Sequence, residues 1–179
     1  MGHELEYHWT LYVTRNKKKS SQDRSLKAWE ERLKLITTFK TAEDFWHVYN
    51  NLKVPIELYG RGDYLLFREG VQPEWEDPKN AEGGSWTYRT DYPEEINEQW
   101  LHAQLALIGF SFEELMEHVC GLEMSVRNKR FRVALWIDTT EESVALSIGN
   151  KFKEVLGTEV TMEFKKHDIN PTQEPLYKI

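Results

Sequence analysis

Glu123-Met124-Ser125-Val126-Arg127, a turn at Asn128-Lys129-Arg130, and Phe131-Arg132-Val133-Ala134-Leu135-Trp136-Ile137 form the stretch on which the fold turns. Apolar side chains occupy every second position on both arms, so the segment predicts a β-hairpin. Successive strand side chains point to opposite faces, which puts Phe131, Val133, Leu135 and Ile137 on one face and Arg132, Ala134 and Trp136 on the other. On the first arm Leu122, Met124 and Val126 alternate with Glu123, Ser125 and Arg127, so Arg127 shares the face of Arg132 and Trp136. Arg127, Lys129, Arg130 and Arg132 are four basic residues within six positions. They are either a solvated hairpin tip or an anion site.

Alternation extends outward from the hairpin. Leu5, Tyr7, Trp9, Leu11 and Val13 mark a strand with one buried face, Leu33 to Phe39 a second, Tyr64 to Phe67 a third and Trp86 to Thr90 a fourth. Val160, Met162 and Phe164 alternate as a last strand. Helical spacing appears three times. Thr41-Ala42-Glu43-Asp44 is a capping box opening a helix with the stripe Phe45, Val48, Tyr49 and Leu52, from which Trp46 is displaced. Pro93 and Gly109 bracket a second helix over Glu94 to Ile108. A third begins after Thr139 or Thr140, runs through Val144, Ile148, Phe152 and Val155, and stops at Gly157. Strands arriving as hairpins, with no repeating strand-helix-strand unit, predict an α+β fold with a mostly antiparallel sheet, helices on one face and the other face free to bind. The expected organisation is one domain over 1–179, with a polar mobile loop at 15–28 containing Lys17-Lys18-Lys19 and a tail at 168–179.

Composition narrows the function. The chain has 179 residues, 23 Lys+Arg against 30 Asp+Glu, and a formal net charge of -7. Its overall field does not steer it to nucleic acid, so any such function needs basic residues concentrated at one place, as the hairpin supplies. No apolar run approaches a membrane span, and the single Cys120 suits a reducing compartment, so a soluble intracellular protein is expected. Enzyme signatures are missing: no glycine-rich phosphate loop, no Gly-x-Ser-x-Gly, no His-Glu-x-x-His and no cysteine pair for zinc. Glu114 and His118 stand four apart, but further ligands are not evident and no metal is expected. Aromatic content is the unusual quantity, with seven Trp. Pro73-Glu74-Trp75-Glu76-Asp77-Pro78 places a Trp beside a carboxylate in a loop, where the ring is either tucked into a local cluster or presented to a ligand. Trp29 poses the same question, and two loop indoles can form the sides of a slot for a flat ring.

These residues together resemble the eukaryotic translation initiation factor 4E family, whose members hold the 7-methylguanosine cap of messenger RNA. The resemblance runs from about His3 to His167. It takes in His3-Glu4-Leu5 with Trp9, Glu43-Asp44-Phe45-Trp46 with Tyr49-Asn50, Trp75-Glu76-Asp77 with Asn80, Gly83-Gly84 before Trp86, Leu107-Ile108-Gly109, Val119-Cys120-Gly121, Val126-Arg127 and Trp136. It implies a curved eight-stranded, mostly antiparallel sheet with three helices on the convex face and the cap on the concave one. Trp29 and Trp75 match the two rings that sandwich the methylated guanine, and Glu76 the carboxylate that reads its edge. Trp136 matches the ring touching the N7 methyl, and Arg127 and Arg132 the cations on the phosphate bridge. His3, Leu5, Trp46, Leu101, Leu105 and Gly109 match a dorsal surface that takes a helical Tyr-x-x-x-x-Leu-apolar motif from scaffold and repressor proteins. The implied protein is a monomeric, non-enzymatic initiation factor without cofactor or metal, in the cytoplasm with the nucleus as a second compartment. A cap-binding repressor that does not recruit the scaffold is the alternative. Departures from the family pattern are the longer loop before Trp29, Ser85 at an often basic position, Glu4 within His3-Glu4-Leu5, His102 at an often acidic one, and the tail composition.

Overall fold

The computed structural model describes residues 2–14, 32–58, 62–127, 130–167 and 174–179, with the backbone alone at Arg127. The expected loop at 15–28 and the expected stacking residue Trp29 lie outside the described residues. Eight strands make one sheet: β1 (Glu4–Thr14), β2 (Leu33–Thr41), β3 (Tyr64–Arg68), β4 (Gly84–Thr90), β5 (Val119–Arg127), β6 (Arg130–Ile137), β7 (Glu163–Lys166) and β8 (Tyr177–Lys178). Their order is β2-β1-β3-β5-β6-β4-β7-β8, and every neighbouring pair is antiparallel. The sheet is curved, with α1 (Ala42–Asn51), α2 (Pro93–Ile108) and α3 (Glu142–Leu156) on its convex face. Among the described residues no helix is long and apolar enough to cross a membrane.

Alternation sorts the sheet into two cores. Phe131, Val133, Leu135 and Ile137 of β6 join Leu122, Met124 and Val126 of β5 in a large cluster. Into it the helices insert Phe45, Ile96, Trp100, Leu107, Ile148 and Phe152. The opposite face holds a smaller cluster, Tyr12, Leu65, Phe67, Cys120, Ala134 and Trp136, with no helical member. Burying each large apolar side chain contributes about 1.5–3 kcal/mol. The larger cluster is therefore what holds the helices to the sheet.

Helix ends follow local chemistry. Thr41 Oγ1 accepts from the Asp44 N–H at 3.1 Å, the N-cap half of the expected capping box. Pro93 opens α2 where no side chain caps it. The third helix starts a residue or two later than Thr139 or Thr140 suggests, because the Glu141 carboxylate caps the N–H groups of Ser143 and Val144. Gly157, at φ 61°, takes the left-handed turn that ends it.

Two strand boundaries differ from the periodicity. β5 starts at Val119 rather than Glu123, since a register shift between Val119 and Gly121 hides the alternation there. The last long alternation is shorter than it looks: Val160 is exposed outside β7, while Met162 exchanges two backbone hydrogen bonds with Ile179. The end of the chain thus returns as β8, with Tyr177 stacked on Phe164 at 5.6 Å.

Gly149 lies where α3 crosses Trp86, whose indole N–H donates to the Ala145 carbonyl at 2.7 Å. A Cβ at 149 would collide with that indole. Gly149→Ala is therefore expected to cost about 1–3 kcal/mol by overpacking, outweighing the ~1 kcal/mol that alanine gains in a helix. A rise in melting temperature would show that α3 has room to move off the sheet.

Candidate functional site

The loop between β3 and β4 carries Trp75 and Glu76, and its shape comes from two short polar side chains. Asp77 accepts at both carboxylate oxygens, from the N–H of Gln72 and of Lys79, each at 2.8 Å. Asn80, fully buried, donates through Nδ2 to the carbonyls of Gln72 and Glu74 at 2.8 Å each. Its backbone N–H reaches the Asp77 carbonyl at 2.8 Å. These bonds clamp the loop from inside, so Trp75, 43% exposed, and the exposed Glu76 are held outward on a stem that is already ordered. Of the two readings open for Trp75, the exposed ring does not fit the one in which it is tucked into a local cluster. A preformed loop spares binding the entropy of ordering it, about 1–2 kcal/mol per residue. Lys79 anchors the far side through Asp138 and the Glu117 carbonyl.

His167 ties this loop to the floor of the concave face. Its backbone N–H donates to the Gly83 carbonyl at 2.9 Å, and its ring Nδ1 meets the Asn80 carbonyl at 2.8 Å. A carbonyl only accepts, so the proton sits on Nδ1 and Nε2 is bare. The ring packs on Trp136 with centroids 4.2 Å apart. Trp136, 6% exposed, also meets the edge of Phe67 at 5.3 Å. Its indole N–H is buried without a partner among the described residues. Beneath the floor, burial pushes the Cys120 thiol up to about 12, so it stays protonated. Sequence reasoning assigns no role to Asn80 or His167. An Asx residue within a Pro-rich turn is a signal for the first; no local pattern marks the second.

Arg132 lies on the same face and is paired with the Glu123 carboxylate and, through Nε, with Ser125 Oγ at 3.2 Å. Arg127 pairs in register with the exposed Arg130 near the hairpin tip, and its side chain lies outside the described residues. Trp136 and Arg132 thus share the concave face of β6, and the loop that carries Trp75 and Glu76 is tied to Trp136 through Asn80 and His167, while Trp29 and the Arg127 side chain are not described. Glu114 and His118 form no metal pair: His118 Nδ1 engages Asp138 at 2.8 Å, and no group of three or more metal-ligating side chains occurs among the described residues.

On the convex side Trp46 is 41% exposed, its ring set against Phe45 and Tyr49 at 5.1 and 5.7 Å. Leu5, Leu101 and Leu105 are half-buried over the core that Phe45 enters. His3 leans on the start of α1: its N–H and Nδ1 meet the two Glu43 oxygens at 2.8 and 2.6 Å. That bond holds the Glu43 carboxyl down at about 2 and raises His3. Gly109 is exposed at the end of α2, followed by Phe110 in the left-handed region at φ 58°.

Burial lowers the pKa of His167 in the fold. The unfolded ring protonates near the ordinary 6.5, so below about that pH the unfolded state binds the extra proton and stability falls. His167→Gln keeps a donor for Asn80 but does not titrate. Urea denaturation at a series of pH values is expected to give a flatter profile between about pH 7 and 5 in this variant. An unchanged slope would assign the acid sensitivity elsewhere.

Residues 4–177 match the family model described as eukaryotic initiation factor 4E. A mouse relative, eukaryotic translation initiation factor 4E type 1B, is 39% identical over 171 residues, covering 92% of this chain and 67% of its own length. An Ascaris suum eIF4E-3 solved with an m2,2,7G cap superposes with a TM-score of 0.90 at 32% identity, over 100% of this chain and 99% of that one. A Caenorhabditis elegans eIF4E-3 solved with the 4E-binding protein Mextli gives 0.89 at 30% identity, with 100% of each chain covered.

Proposed function

Because the chain belongs to the eukaryotic initiation factor 4E family, a family of cap-binding factors and not of enzymes, we propose that its concave face holds the 7-methylguanosine 5′ cap of messenger RNA and its dorsal surface recruits an initiation scaffold. The observation that carries this reading is the preformed loop presenting Trp75 and Glu76 beside the Trp136 floor, the two joined through Asn80 and His167. Methylation at N7 leaves the purine with a delocalised positive charge, which an indole face attracts more than it attracts an ordinary base. Trp75 supplies one such face and Trp29 the other. Guanine presents two donors side by side, N1–H and N2–H, and the ionised Glu76 accepts both. Trp136 closes the methyl side of the slot. Arg132, with Arg127, takes the triphosphate, since a guanidinium fork fits phosphate oxygens in pairs. No bond breaks, so no nucleophile, metal or cofactor is needed. The protein acts as a cytoplasmic monomer.

Titration of the Trp fluorescence with 7-methylguanosine triphosphate and with plain guanosine triphosphate tests the slot. The methylated nucleotide is expected to bind more tightly, and Trp75→Ala to lose more than about 1 kcal/mol, the scale of one base-aromatic stack. Glu76→Gln is expected to lose preference for guanine, because its amide offers one acceptor and two donors to an edge that supplies donors. Equal affinity for the two nucleotides would end the cap reading.

Trp46, the neighbouring Leu5 and the Leu101–Leu105 ridge support the partner half of the proposal, since partner hot spots favour an exposed Trp among aliphatic neighbours. Trp46→Ala is expected to melt near the wild type, to bind cap normally and to lose a Tyr-x-x-x-x-Leu-apolar peptide. A Trp buried in the core would instead cost about 3–5 kcal/mol on truncation. Pull-down that captures repressors carrying this motif but never the scaffold would overturn the initiation role in favour of a cap-binding repressor.

A further inference from the structure

The concave face carries charges that the cap slot does not use. Register sets Arg132 on β6 directly opposite Arg89 on β4. The same face continues through Thr87 to Glu163 on β7 and Lys178 on β8. Two arginines opposite one another in adjacent strands repel. Arg89 registers this: its pKa is lowered, first by burial and then by the Arg132 charge. The carboxylates nearby offset the pair only in part. Glu123 is engaged by Arg132, and Glu163 is shared between Arg89 at 3.5 Å and Lys178 at 3.3 Å. Arg130 adds a further exposed cation on the same face, two residues along β6. Apart from Arg132, which the cap triphosphate takes, the face carries Arg89, Arg130 and Lys178, and Lys165 opposite Ser85, a concentration of cations in a chain whose net charge is -7. A stable protein keeps such an arrangement at a cost unless an anion relieves it.

Position says which anion. Trp136 and Arg132 are four residues apart on β6, about 13 Å along a strand. Arg89 is one strand further, about 4.8 Å across. A chain of phosphates that leaves the slot at Trp136 and passes Arg132 therefore meets Arg89 next. Around Arg132 and Arg89 the face is lined by Thr87, Ser125 and Ala134, small and largely buried side chains, and the large ring of Trp136 stands opposite Ser85 at the slot end. A protein partner would need apolar anchors there, whereas a nucleic-acid backbone needs only cations and hydrogen-bonding groups. We propose that Arg89, with Lys178 beyond it, forms a second phosphate-binding step that takes the first nucleotides of the transcript body behind the cap. The proposal rests on the cap reading above.

The test compares 7-methylguanosine triphosphate with a short capped oligoribonucleotide on the full chain. The wild type is expected to bind the oligonucleotide more tightly at low salt. Arg89→Ala is expected to bind the nucleotide as the wild type does and to lose roughly threefold to fivefold for the oligonucleotide, with Lys178→Ala intermediate. The dependence of log affinity on log salt for the oligonucleotide should flatten by about 0.7 for each phosphate contact removed. Arg89→Lys keeps the charge and should restore part of the loss. Unaltered nucleotide binding reports that each variant is folded. A wild type that binds nucleotide and oligonucleotide equally, or an Arg89→Ala that loses both in proportion, overturns this step and leaves the cap slot standing. A wild type that does not bind the nucleotide overturns the cap reading and this step with it. If a polyglutamate peptide abolishes the oligonucleotide's advantage as well as uncapped RNA does, the face belongs to an acidic protein and the RNA assignment fails.

Discussion

Alternation along β5 and β6 is the constraint on which the remaining structure depends. A strand offers its side chains to two faces by turns, so one hairpin must satisfy two environments at once. On the convex face Phe131, Val133, Leu135 and Ile137 require cover, and three helices supply it. On the concave face Arg132, Ala134 and Trp136 mix charge, a small side chain and a large ring, a composition too polar to bury beneath a helix and too aromatic to be ordinary surface. A slip of one residue would exchange these sets. Register here fixes at the same time where the helices dock and where a ligand is met.

The second level of organisation is the joint between the β3–β4 loop and that concave floor. Asn80 is a polar side chain in a fully buried position; its Nδ2 donates to two loop carbonyls and its backbone carbonyl accepts from His167, while its Oδ1 has no partner among the described residues. The same few bonds order the loop and set the His167 ring against Trp136. Trp75 and Glu76 inherit their placement from buried partners they do not touch.

The two faces are separable in the same physical sense. Trp46 and the His3–Glu43 pair sit on the solvent side of α1 and the start of β1, while Trp136 and Arg132 lie on the opposite face of the sheet. Between them is the rigid larger core, with Trp9, Leu66 and Leu122 fully buried. A close-packed core of this kind separates the proposed cap slot from the proposed partner surface.

Local patterns in the sequence determine most of the elements. The hairpin, the β1 alternation, the Thr41 capping box, the Pro93 start and the Gly157 stop depend on residues within a turn or two of each other, and each is legible in the amino-acid order alone. So is the split of β6 into an apolar and a mixed face, and so is the displacement of Trp46 from its helix stripe. The resemblance to a known family assigns roles that the residues alone leave open. Tertiary structure decides whatever depends on distant segments meeting. The sheet order places β4 beside β6 and β7, and the chain end returns as β8 against Met162, pairings between segments many residues apart that no window of sequence contains. The shift that conceals the start of β5 follows from Gly121, where a Cβ would strike Phe67 on a neighbouring strand. Asn80 and His167 acquire their roles only because two loops converge, and Arg89 becomes the neighbour of Arg132 only through register. Periodicity encodes which face a side chain occupies; the long-range pairing of strands, set by the joint fit of the whole core, decides which side chain stands next to it.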